Sequence, residues 1–110
     1  MKYDDDIKEK PPIHLIPTEV LRSVATVLGF GAKKYAEHNW RDDLNVTAQS
    51  RTYSSIQRHL FAWLEGQDID PDSGLHHIDH AITQAIILKM SILHAPEMDD
   101  RYTTTRGKDV

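Results

Sequence analysis

The stretch "DSGLHHIDHAITQAIILKMSILHA", Asp72 to Ala95, decides how the chain folds. Its apolar residues recur at helical rather than strand spacing. Leu75, Ile78, Ile82, Ala85, Ile86, Ile92 and Leu93 make one stripe, and Ala81, Ile87 and Leu88 carry apolar character round the other side. A helix greasy over most of its circumference belongs in the middle of a bundle. Asp72 or Ser73 is the natural cap, and "HAPEMDD" stops the helix after about Leu93.

Two further amphipathic segments precede it. Thr18 after Pro17 is a candidate N-cap with Glu19 in the first turn, and Val20, Leu21, Val24, Ala25, Leu28, Ala32 and Tyr35 share a face. A helix is expected over residues 18–37. Tyr53, Ile56, Leu60, Trp63 and Leu64 give a second stripe over 53–66, with Ser54 or Ser55 as cap and Gly66 as terminator. The connection "HNWRDDLNVTAQS" lacks a clear period, although its later part suits an early start to that second helix. Residues 1–17, charged and then proline-broken, read as an extended arm, with Ile13, Leu15 and Ile16 packing on the body. The expected fold is all-α: an antiparallel bundle of three main helices over residues 18–98, followed by a polar, mobile tail at 99–110. Three helices hardly cover so apolar a centre, so a partner subunit is expected, in a homodimer or homotetramer.

Bulk composition narrows the function. The chain has 110 residues and no cysteine, which excludes disulfides and thiolate metal sites. Its first residues carry no apolar run resembling a signal peptide, and no stretch is suited to crossing a membrane, so a cytoplasmic location is expected. A net charge of −4 disfavours wrapping a nucleic-acid backbone, but not binding one phosphorylated ligand through a metal ion. No serine, cysteine or glycine-rich phosphate motif offers nucleophilic catalysis.

Three histidines, His76, His77 and His80, crowd the start of the central helix just after Asp68, Asp70 and Asp72. His77 and His80 lie about 60° apart, on the side away from the main stripe, with Gln84 between them in projection. The i, i+3 spacing aims two side chains at one point, as in the metal sites of helical bundles. In the first turn the helix dipole disfavours imidazolium and leaves the neutral, metal-binding form. His59 adds a third imidazole at the edge of the second helix's stripe. Glu65 points away from it, whereas position 67, occupied by Gln67, would return to the inner face. Asp68 and Asp70 are the nearest carboxylates. The bland readings stand beside this one: a capped or solvated histidine pair, an interior His59, a surface His76, a solvated acidic turn. Asp68, Asp70, Asp72 and Asp79 also fall at ligand positions of a calcium loop. There, however, Ser73 replaces the required glycine, Pro71 interrupts, and the last position is not glutamate.

Three stretches carry a resemblance to a known family. "KPPIHLIP", "GFGAKKYAEHNWR" (Gly29–Arg41) and "RHLFAWLEGQDIDPDSGLHHIDHA" (Arg58–Ala81) resemble, in order and spacing, the phage dATP/dGTP diphosphohydrolase family. That family is a MazG- and MazZ-like branch of the all-α nucleoside triphosphate pyrophosphohydrolases. The resemblance implies a metal-dependent enzyme that splits a purine nucleoside triphosphate between its α- and β-phosphates. Superfamily ligands are acidic, E-x-x-E on one helix and E-x-x-D on the next. Here His77 and His80 take the second place and His59 with its neighbours the first. Imidazole for carboxylate shifts preference from Mg²⁺ towards Mn²⁺ or Co²⁺.

The implied metal ligands are thus His59, His77, His80 and Asp70, with Asp68 and Asp70 as candidate bases for water. The family's glutamate after Gly66 is Gln67 here, and Asp72 stands where the pattern prefers glutamate. Loss of the first, as ligand or base, points to an alternative: a nucleotide-binding protein that sequesters a nucleotide or nucleotide-derived signal without hydrolysing it. In "KKYAEHNWR", Trp40 either stacks on a base or covers an apolar edge. Lys34 and Arg41 meet phosphates or form surface pairs, and Asn39 reads a base edge or caps a helix.

Overall fold

A computed structural model describes residues 10–103, and the expectations for residues 1–9 and 104–110 lie outside it. The chain is helical, and among the described residues there is no strand, only one antiparallel bridge between Ile69 and His76. Three long helices dominate: α1 (Thr18–Lys34), α3 (Gln49–Leu64) and α4 (His77–His94), with a single turn, α2 (Asn39–Asp42), in the first connection. Helix α4 is central, packed chiefly on α3 and less extensively on α1. None of these helices is long and apolar enough to cross a membrane.

Helix α1 follows Pro17, which occupies the N-cap position expected of Thr18 and leaves no side-chain cap. Glu19 in its first turn and Lys33 and Lys34 in its last both suit the helix dipole. The helix ends three residues before the expected 37, because Tyr35 turns to φ −125°, ψ −85°.

Helix α3 begins at Gln49, four residues before the expected start, and neither Ser54 nor Ser55 caps it. The orphan donors of its first turn are met from far along the chain. Asp100 accepts from the Ser50 backbone N–H at 2.9 Å and from the Ser50 hydroxyl. These two donors hold the Asp100 carboxyl below the usual carboxylate range. The start of the expected mobile tail is therefore docked. Beside it, the buried Gln49 amide donates to Ser91 Oγ (3.1 Å) and to the Ala95 carbonyl (3.3 Å), fastening the start of α3 to the end of α4.

At its other end α3 closes in a Schellman turn. Gln67 N–H bonds to the Ala62 carbonyl (2.9 Å) and Gly66 N–H to the Trp63 carbonyl (3.0 Å). The motif places its glycine at positive φ, and Gly66 sits at +103°.

Helix α4 starts later than expected, at His77, and its cap is neither Asp72 nor Ser73. His76 takes that position, its imidazole Nδ1 accepting from the Ile78 N–H at 3.0 Å. Residues 68–77 form a tight loop instead. It is held by the Asp70 N–H to the Leu75 carbonyl, the Gly74 N–H to the Asp70 carbonyl and the His77 N–H to the Asp68 carbonyl.

The core differs most from expectation. α4 buries His77, His80, Ala81, Thr83 and Ser91, while Ile86, Ile92 and Leu93 of the main stripe are exposed at 41%, 48% and 57%. Tyr53, Trp63 and Leu64 of the α3 stripe are exposed as well. Val24, Val27, Ala81 and Ala95 are the buried hydrophobic residues among those described. The reason is that α1 and α3 both sit on the polar side of α4, and no long helix among the described residues covers the other side. Nor do the described residues of the arm cover it. Ile13–Leu15 form a 3-10 turn rather than extended chain, and Ile13, Leu15 and Ile16 stay exposed.

Two glycines separate local effects with opposite sign. Gly66→Ala should lower the urea-unfolding free energy by about 1–2 kcal/mol, because alanine is strained at that φ. Gly29→Ala should raise it by about 1 kcal/mol, since an added Cβ meets nothing within 4 Å inside α1.

Candidate metal centre and adjoining cavity

The end of α3, the 68–77 loop and the start of α4 bring His59, Asp70 and His77 together, with ligand atoms all within 4.8 Å of one another. His59 Nδ1 and His77 Nδ1 are 2.9 Å apart. His80 stacks face to face on His59 with ring centroids 4.7 Å apart and planes at 7°.

A consistent proton arrangement follows from the acceptors. Gln67 Oε1 lies 2.6 Å from His77 Nε2, so that nitrogen donates and His77 Nδ1 presents its lone pair. His59 then donates from Nδ1 to it. The Ser73 hydroxyl accepts from the Leu75 N–H (3.1 Å) and donates to His80 Nε2 at 2.6 Å. The Asp70 carboxylate approaches His80 Nε2 at 3.8 Å while its other oxygen accepts from the Asp72 N–H.

The donor set suits a divalent ion. Two nitrogens on neighbouring sites of one ion, each at ~2.1 Å, stand about 3 Å apart, close to the separation found here. A ligating histidine normally hands its other N–H to an oxygen acceptor, which is the part Gln67 plays for His77. Two of the imidazoles resist protonation. Burial is the main cause that lowers the pKa of His59, assisted by His80 and His77, against an opposing pull from Asp70. Burial likewise lowers His80, with Asp70 opposing and His77 reinforcing.

The remaining candidates sort by position. Gln67 reaches inward because the Schellman turn folds the chain back, not because the helix continues. Asp68 is 71% exposed and stands 4.0 Å from His76, on the outer side of the loop, and Glu65 is exposed. His76, expected at the surface, is half-buried as the α4 cap. The calcium-loop spacing makes no carboxylate cage, because Asp68 and Asp70 turn towards different histidines. Ser73 was legible only as a cap; its hold on His80 has no signature in the sequence.

A cavity of about 250 Å³ opens beside His80 between α1, α2 and α4. Lys34, Asn39 and Trp40 line it, together with Phe30, Gln84 and Ile87. Arg41 does not line it; its guanidinium lies over the Trp40 ring, 4.5 Å from the centroid. Asn39 Nδ2 donates to Asp43 Oδ2 at 3.4 Å. Thr83 and Gln84 follow His80 by three and four residues, so helical period alone pointed to this wall.

The lowered pKa values set a sign for acid stability. The unfolded chain takes up protons near the ordinary histidine value of 6.5, whereas folded His59 and His80 resist them. Their contribution is therefore present above that pH and lost as the pH falls through the lowered folded values. Thermal unfolding of metal-free protein should shift to lower temperature on acidification from pH 7.5 to 5.5, and His59→Gln should flatten the dependence.

Two comparisons with known proteins give a match. A family model described as dATP/dGTP diphosphohydrolase, N-terminal, matches residues 2–101. A curated relative, the dATP/dGTP diphosphohydrolase of Salmonella phage PMBT28, is 32% identical over 101 residues, which is 92% of this chain. The chain spans about a third of that relative's length, 32%. No solved structure matches. A match over nearly the whole chain, on a helical frame that gathers the quoted motif residues, places this protein in the dATP/dGTP diphosphohydrolase N-terminal family.

Proposed function

We propose that the chain hydrolyses dATP and dGTP between the α- and β-phosphates, releasing the monophosphate and pyrophosphate with the help of a divalent ion, Mn²⁺, Co²⁺ or Mg²⁺. The observation that carries this reading is the position of His80. Its ring packs on His59 of the candidate metal group and also walls the cavity lined by Lys34, Asn39 and Trp40. A ligand in that cavity has its polyanionic end within reach of the imidazoles.

His59, His77 and Asp70 would hold the ion, and His80 would keep His59 in place by stacking. The ion, when bound, supplies neutralisation of phosphate charge and a more acidic water. The chain's own residues do the rest. Asp70, half-buried and turned inward, takes a proton from the attacking water, and Gln67 orients His77. Lys34 draws the phosphates, and Arg41 adds charge from above Trp40, whose indole gives a base a flat apolar face. Two imidazoles beside one carboxylate favour Mn²⁺ or Co²⁺ over Mg²⁺.

Pyrophosphate release from dATP and dGTP should require the added ion and stop with EDTA. His77→Ala combined with His80→Ala should abolish it while far-ultraviolet circular dichroism stays unchanged. A double variant that keeps the full rate rejects this placement of the site.

Gln67 favours a second reading, since it holds His77 where the family pattern has glutamate. A protein that binds purine nucleotide without turnover would show a calorimetric isotherm but release no pyrophosphate with any of the three ions. Gln67→Glu would then restore hydrolysis.

The exposed stripe of α4, with Tyr53 and Phe61 of α3, is proposed to be covered by a second copy of the chain. Sedimentation equilibrium should report a dimer or tetramer for the native chain, and Ile92→Asp with Leu93→Asp should shift it to the monomer.

A further inference from the structure

The cavity beside His80 continues past Gln84 into a second hollow of about 190 Å³ between α2, α3 and α4. Asn39, Trp40, Gln84 and Ile87 line both, so these four residues form the waist of a single trough along α4. Three of them have settled surroundings. Asn39 is tied to Asp43, Trp40 carries Arg41 on its face, and Ile87 offers only hydrocarbon.

Gln84 differs. It is half-buried, and its amide makes no hydrogen bond to any described residue. The contrast with the other glutamines is instructive: Gln49 is bonded to Ser91 and Ala95, Gln57 to Tyr53, and Gln67 to His77. No enclosed side-chain polar atom among the described residues lacks a partner, so the Gln84 amide stays in touch with solvent inside the trough. A desolvated amide left unpaired is costly, whereas one kept open to a polar ligand is not.

We propose that Gln84 reads the base edge of the bound nucleotide, and that its free rotation lets one site accept both 6-amino and 6-oxo purines. This inference rests on the hydrolase reading above and adds how the substrate is selected. Adenine presents a donor at N6 beside an acceptor at N1; guanine presents an acceptor at O6 beside a donor at N1. The two edges are complementary in sign. An amide has one acceptor and one donor group, and half a turn about its last side-chain torsion converts the match for one edge into the match for the other. A glutamine fixed by a neighbour would match one edge and oppose the other. Gln84 has no such neighbour, and the indole of Trp40 stands at the same waist to support the ring.

The test compares kcat/KM for dATP, dGTP and dITP in wild type, Q84L and Q84E, under the ion that gives wild-type activity. Wild type should treat dATP and dGTP within about tenfold of each other. Q84L should lose about 10- to 100-fold on both, the worth of one bidentate base contact. Q84E carries acceptors only, which suit the adjacent N1–H and N2–H donors of guanine and oppose the adenine N1. Its dGTP to dATP ratio should therefore rise by about tenfold or more, with the gain smaller for dITP, which lacks the 2-amino group. A ratio does not depend on how much of the variant is folded. Wild-type activity with an unchanged Q84E ratio, or a Q84L within twofold of wild type on both substrates, overturns the role of Gln84 alone. A wild type inert towards every purine triphosphate and every ion overturns the hydrolase reading, and the role of Gln84 with it.

Discussion

His77 is held from two sides at once, and the turn and loop that join α3 to α4 are built around that grip. Its Nε2 meets Gln67 and its Nδ1 meets His59, so residues on either side of the α3 terminus must both face the first turn of α4. A continuous helix through residue 67 would carry the backbone away from α4. The Schellman turn at Gly66 reverses it within a residue, and the short loop that follows is closed by backbone bonds together with those of the Asp70 and Ser73 side chains. Burial there lowers the pKa of His59 and His80 against the opposing pull of the Asp70 carboxylate.

The consequence for packing is an inverted helix. α4 turns His77, His80, Thr83 and Ser91 inward and leaves Ile86, Ile92 and Leu93 outward. At one end of the α3–α4 pair the buried Gln49 and Ser91 side chains bond, and the trough lies along the middle of α4. Thr83 fits this arrangement because its hydroxyl is spent on the Asp79 carbonyl of its own helix, costing the trough no donor. The same inversion leaves Ile86 and Leu93 uncovered on the face of α4 opposite His77 and His80. The geometry of the candidate site is thereby tied to whatever covers the back of the helix.

Helical periodicity made the class of fold readable, because Val24 and Val27 on α1 and the His77–His80–Gln84 row on α4 recur at helical spacing. It did not say which side of α4 faces inward. Hydrophobic periodicity identifies an apolar face, and the effect behind it has no preference between a neighbouring helix and another molecule. The cap of α4 was misread for a related reason: Ser73 and Asp72 are good caps in isolation, and the loop's backbone bonding assigns the position to His76 instead. The imidazole group was legible from spacing, whereas the stacking of His80 on His59 depends on contacts between elements that no local pattern encodes.

The bond between Asp100 and Ser50 joins the segment after α4 to the first turn of α3, at the end of the helix pair far from the imidazoles. His59 follows Ser50 by nine residues on α3, so about 14 Å of helix separates that latch from the imidazoles. Load entering through the segment after α4 bears on this fastening and on the Gln49 clamp, both at the end of the helix pair away from the imidazoles. Anchorage of the chain and geometry of the candidate site are thus kept at separate ends of one pair of helices.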